Sequence, residues 1–168
     1  SEIYPVEDLI WDNTNKALLF RADILNLHSL GDAGLQALVE RLEESELDDY
    51  TDITTLIGIE FDDNTAWGQL TILELKLLIY LALQRFEEAK ELVEAFLQFN
   101  DNTVERGLFY QALNVVLEVE LDEELQLDDY EVNFRRMFGD ARMDAVIGSL
   151  DGSVRFFGLT PTSIKLEG

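Results

Sequence analysis

The 168-residue chain has no cysteine, which excludes disulfides and thiolate metal sites from the start. Histidine is almost missing too: His28 stands alone, so a zinc site would have to rely on carboxylates, an uncommon donor set. Proline occurs twice, as Pro5 and Pro161, and nothing of its kind interrupts the sequence between them. Bases are scarce, with 12 Lys and Arg against 35 Asp and Glu and a net charge of −23. Such a field repels phosphate backbones and anionic headgroups and attracts cationic proteins, peptides or metals. Nucleic acid and membranes are therefore poor partners. The longest nearly apolar stretch, Leu70 to Leu83, is interrupted by Thr71, Glu74 and Lys76 and falls short of the ~20 residues that span a bilayer as a helix. No basic-then-apolar leader opens the sequence. These absences fit a soluble, cytoplasmic protein.

What is present is apolar periodicity. Hydrophobic residues make up 47% of the chain, ten of them Phe, enough for the core of one domain. Asn13 or Asn15 can cap a helix running to about Leu27, with Leu18, Ile24 and Leu25 inward. Asp32 can cap the next, where Leu35, Leu38, Val39 and Leu42 follow i, i+3, i+4, i+7. A short third helix around Ile53, Leu56 and Ile57 would stop at Gly58. Glu60 to Gly68 is polar and turn-rich. Thr71 then begins a helix with Leu70, Leu73, Leu77, Leu78 and Leu81 on one face, broadened by Leu75, Ile79 and Tyr80, so it belongs at the centre of the fold.

The following helix sets Phe86, Ala89, Leu92, Val93, Phe96 and Leu97 against Glu87, Glu88, Glu91 and Glu94. Asn102 with Glu105 resembles an N-terminal cap pair for a helix burying Phe109, Ala112, Leu113 and Val116, with Val119 as a further candidate. After the acidic connection Leu121 to Asp129 comes a helix with Val132, Met137 and Phe138 inward, ending at Gly139. A last helix, from about Asp140 to Leu150, uses Met143, Val146, Ile147 and Leu150. The apolar tail VRFFGL, Val154 to Leu159, is expected to dock on the bundle. Tyr80, Phe86, Ala89 and Phe96 have a tetratricopeptide look, although Gln84-Arg85 replaces the usual turn glycine and no clean second copy recurs at 34 residues. The expected fold is all-α, an irregular tetratricopeptide-like stack of about seven or eight helices forming a single domain over the whole chain.

No catalytic, cofactor-binding or metal-binding residue set emerges. His28, in the turn NLHSL, reads as a surface or capping residue. Asp62-Asp63-Asn64 fails the spacing of a calcium loop, because Ala66 and Trp67 stand where an oxygen ligand and a glycine should be. Asp48-Asp49 and Asp128-Asp129 each flank a Tyr near a helix start and read as capping acids. Acids run almost without bases from Asp32 to Asp63, where Arg41 is alone, and without any from Glu118 to Glu131. Charge runs are ordinarily solvated faces, but these would form a receptor for a basic peptide if they lined one side. Arg135, Arg136 and Arg142 form a basic cluster that balances local acids. Phosphate-binding loops and nucleophile elbows are missing, so this chain is not expected to be an enzyme.

The opening SEIYPVEDLIWDN, the block LDDYTDITTLIGI, the hairpin ELKLLIYLALQRFEEA with FLQFN after it, and the closing FRRMFGDA and FFGL resemble the C-terminal helical domain of stand-alone bacterial YcaO proteins. The resemblance spans nearly the whole chain in order. It implies a domain excised from a longer protein whose N-terminal YcaO domain binds ATP and magnesium, with no cofactor in this part. It further implies a parent accessory to methylthiolation of a small-subunit ribosomal protein by a radical-SAM enzyme. Azole-forming relatives often end in a proline-rich tail, whereas Thr160-Pro161-Thr162 is followed here by Ser163-Ile164-Lys165-Leu166. The expected role is a non-catalytic interaction domain touching its own YcaO domain, a methylthiotransferase or a basic ribosomal protein, with a homodimer contact as a further partner. The alternative is a purely structural domain that stabilises or dimerises its parent.

Overall fold

The computed structural model describes residues 30–44, 48–51, 59–61, 71–98, 104–150 and 164–166. They form helices α1 (Gly31–Glu44), α2 (Ile72–Ala82), α3 (Phe86–Leu97), α4 (Val104–Leu121), α5 (Leu127–Phe138) and α6 (Asp140–Leu150), with strands β1 (Ile59–Phe61) and β2 (Ile164–Leu166). The expected helices before Leu27 and around Ile53, the cap at Asn102 and the VRFFGL tail lie outside these residues. All six described helices follow the apolar spacing of the sequence.

Centrality of α2 follows from its composition. Ile72, Leu73, Leu75, Leu77, Leu78, Ile79, Tyr80 and Leu81 are all buried, which requires cover on several sides. That cover comes from α1, α3 and α6. From α1, Leu35, Leu38, Val39 and Leu42 are buried on the stripe their spacing predicts; Asp32 sits in the first turn rather than at the cap. On the other side α4 packs against α3, α5 and α6, contributing Tyr110, Leu113, Val116 and Leu117 to the same core. Phe96 of α3 meets Tyr110 edge-on, ring centroids 4.2 Å apart.

The α2–α3 turn shows why the missing glycine mattered. Arg85 N–H donates to the Tyr80 carbonyl and Gln84 N–H to that of Leu81, the paired bonds of a Schellman ending. Gln84 holds its left-handed position at φ 60°, a conformation glycine adopts at lower cost.

Two expectations are corrected. Val132 and Met137 face outward, each 66% exposed, while α5 buries Phe134 and Phe138. The reason is register: Leu127, Tyr130, Phe134 and Phe138 recur at helical spacing and pack toward the core, whereas Val132 lies on the opposite side. The second correction is a small antiparallel pairing of β1 with β2, registering Ile59 with Leu166, Glu60 with Lys165 and Phe61 with Ile164. Both segments read apolar, charged, apolar in sequence, the alternation of a strand. The segment read as a turn-rich stretch from Glu60 therefore begins as a strand.

Candidate interaction surface

The polar groups divide into those consumed by the fold and those left on its surface. The first set is concentrated at the start of α2. Thr71 and Glu74 form a reciprocal capping box: the Glu74 N–H donates to Thr71 Oγ1 (3.2 Å) and the Thr71 N–H to Glu74 Oε1 (3.2 Å). The next two orphan donors are met from the acidic turn at Asp48. Ile72 N–H donates to the Thr51 carbonyl (3.2 Å) and Leu73 N–H to the Asp49 carbonyl (2.8 Å). Asp48 shapes that turn by accepting from the Tyr50 N–H (2.8 Å), and Asp49 pairs with Lys76 at 2.7 Å. The neighbouring helix that this pair was expected to cap lies outside the described residues; the turn instead closes the start of α2 through the main-chain oxygens of Asp49 and Thr51.

Glu74 is wholly buried. Its Oε1 also accepts from Thr71 Oγ1 (3.1 Å) and its Oε2 from the Tyr110 hydroxyl (3.0 Å), so the carboxylate joins α2 to α4. Sequence reading passed over Glu74 as an interruption of an apolar run. The available signal was the T-x-x-E spacing of Thr71 and Glu74 before that run. Tyr50, beside the turn, has its phenol pKa raised from its ordinary 10.0, first by burial and then by the charges of Asp49 and Asp48.

Arg135 spends its guanidinium on the corner between α5 and α6. Nε pairs with Glu131 (2.9 Å), while the two terminal nitrogens reach Asp140 (3.3 Å) and Asp144 (2.9 Å). These bonds, that to Glu131 foremost, raise its pKa above the ordinary arginine value. Arg142 donates to the Phe138 carbonyl at the end of α5. Arg135 thus balances local acids, as expected, whereas Arg142 bonds a main-chain carbonyl at a helix end and Arg136 is exposed. Asp128 and Asp129 occupy the first turn of α5 without a side-chain cap bond at Gln126; they favour the helix by charge alone. His28 and Asp62-Asp63-Asn64 lie outside the described residues.

What remains on the surface is mostly carboxylate. Glu118, Glu120, Asp122, Glu123 and Glu124 are exposed along the end of α4 and the loop after it. On α3, Glu87, Glu91 and Glu94 are exposed, with Lys90 reaching Glu94 (3.5 Å) and Asn114 (3.3 Å). No described helix is long and apolar enough to cross a membrane. Chemically, these faces attract cations without a described cluster of side chains that could coordinate one.

The family model described as the YcaO cyclodehydratase C-terminal domain matches residues 17–168. The chain belongs to this YcaO C-terminal domain family. Two curated relatives agree in extent. An uncharacterized protein of Haemophilus influenzae is 31% identical over 173 residues, covering 99% of this chain and 29% of its own length. The ribosomal protein S12 methylthiotransferase accessory factor YcaO of Escherichia coli is 31% identical over 171 residues, with the same 99% and 29% coverage. The YcaO-family chain thus spans less than a third of the relatives it matches.

Proposed function

We propose that this chain is the C-terminal interaction domain of a longer YcaO-family protein that acts as an accessory factor in methylthiolation of a small-subunit ribosomal protein. The observation that supports it is the similarity, along 99% of the chain, to an Escherichia coli protein whose name states that role. In this reading ATP and magnesium belong to the N-terminal YcaO domain of the cytoplasmic parent, and the helices described above form a tetratricopeptide-like platform without a catalytic set of its own. Its partners are that YcaO domain and either the methylthiotransferase or its basic ribosomal substrate. The burial of Glu74 and the engagement of Arg135 support a scaffold role, because both groups are spent on joining helices.

The test removes the domain from the intact protein and follows ribosomal methylthiolation by mass spectrometry alongside ATP turnover. The expected result is loss of methylthiolation with ATP turnover retained. Full methylthiolation after removal would overturn the role. Loss of both activities together with a collapsed melting transition would point to the structural alternative, a domain that only completes its parent's fold.

A further inference from the structure

Helix α5 is the least anchored of the described helices. Of its twelve residues only Phe134 and Phe138 are buried, at 9% and 7% exposure. Helix α3, of equal length, buries Ala89, Val93 and Phe96 more deeply, and α2 buries nine of its eleven residues. Leu127 and Tyr130 of α5 are half-buried, while Val132, Asn133, Arg136 and Met137 are exposed. Its main packing partners are α4 and α6.

The two ends of α5 are held differently. At its start, Gln126 makes no side-chain cap bond, and the exposed Asp128 and Asp129 follow the exposed Asp122, Glu123 and Glu124 with no base between them. Like charges so close along the chain repel. At its end, Arg135 holds Glu131 of its own helix (2.9 Å) and reaches across the corner to Asp140 (3.3 Å) and Asp144 (2.9 Å) of α6. Gly139 alone joins the two helices. Its φ of 93° is one that glycine tolerates, and a Cβ there would meet no atom within 4 Å, so the corner has room to turn.

Acids at the start and bases at the end suit any helix, and a surface helix with few buried residues is ordinary. Neither fact requires that, among the described residues, the ion pairs from α5 to another helix all come from one side chain beside a one-residue connection. We propose that α5 is a hinged flap that opens about Gly139 while α1, α2, α3, α4 and α6 stay folded, with Arg135 as the latch that holds it shut. Opening starts from the acidic end, where burial is least and charge repels, and uncovers the sides of α4 and α6 on which α5 packs. The inference goes beyond the interaction-domain reading and stands whether or not that reading does.

Hydrogen exchange of the intact protein, followed by mass spectrometry at low urea concentrations, tests it. Amides of α5, corrected for intrinsic rates, are expected to exchange at least about tenfold faster than those of α2 and to depend little on urea, because the opening exposes little surface. R135Q is expected to speed exchange in α5 by about two- to fivefold and to leave α2 unchanged. G139A, which strains the closed corner, should speed it by about fivefold or more, again without moving α2. Equal rates and urea slopes for α5 and α2 in the unmodified protein would show a single cooperative unit and overturn the inference without any variant. Exchange of α4 and α6 together with α5 as one unit would do the same. Acceleration of α2 as large as that of α5 in either variant, or no acceleration of α5, would remove the latch and the hinge.

Discussion

Glu74 is a charge-bearing residue type in the middle of the core, and its neighbours show what makes that tolerable. The Thr71 amide, the Thr71 hydroxyl and the Tyr110 hydroxyl all donate to its carboxylate. Tyr110→Phe deletes one of these donors while preserving the ring that packs against Phe96 and Phe109. The expected cost is about 1–3 kcal/mol of unfolding free energy, read from the urea midpoint; an unchanged midpoint would mean that this bond contributes nothing net. Tyr50 yields a pH prediction. Its folded-state pKa is raised, so the unfolded chain loses the phenol proton first, near pH 10. Above that pH the unfolded state binds fewer protons than the native one, and stability falls as pH rises toward the folded-state value. Below it the contribution is intact. Tyr50→Phe should therefore flatten the decline in melting temperature between about pH 9 and 11.

At the scale of elements, the two tight corners make opposite predictions from one principle. Gln84 places a side chain at φ 60° between α2 and α3, whereas Gly139 meets φ 93°, ψ 150° between α5 and α6. Glycine alone visits the second region readily. Gln84→Gly is expected to stabilise by about 1 kcal/mol. Gly139→Ala is expected to destabilise by about 1–3 kcal/mol, although a Cβ there would meet no atom within 4 Å, because the cost is torsional. Chemical denaturation of the two variants in parallel checks both signs. Helix α5 shows how far periodicity carries. Its existence and its stop at Gly139 were legible, but its inward face was misread by weighting Val132 and Met137 by hydrophobicity. Leu127, Tyr130, Phe134 and Phe138 carry the helical spacing, and the stacked rings of Tyr130 and Phe134 lie 5.9 Å apart on that line.

For the whole molecule, charge is the dominant long-range quantity. A net −23 on 168 residues makes the folded state repel itself. Raising sodium chloride from about 10 mM to 150 mM, which shortens the screening length from about 30 Å to about 8 Å, should raise the melting temperature. A flat or falling profile would indicate that local pairs such as those of Arg135 outweigh the general repulsion. The acidic runs flagged in the sequence are divided by the fold into different tasks. Asp49 closes α2 through its carbonyl and pairs with Lys76, Glu131 binds Arg135, and Glu118, Glu120, Asp122, Glu123 and Glu124 remain on the surface.

Local order along the chain determined the helical class and the placement of α2 at the centre, because a helix apolar nearly all round can be satisfied only by neighbours on several sides. It also carried the family, through motifs whose order survives without any knowledge of packing. Tertiary structure alone decided which acids are spent on the fold and which stay exposed. The turn at Asp48 and the N-terminus of α2, the carboxylate of Glu74 and the hydroxyl of Tyr110, are distant in sequence and adjacent in space. No periodicity encodes such meetings, since they depend on how whole helices lie against one another.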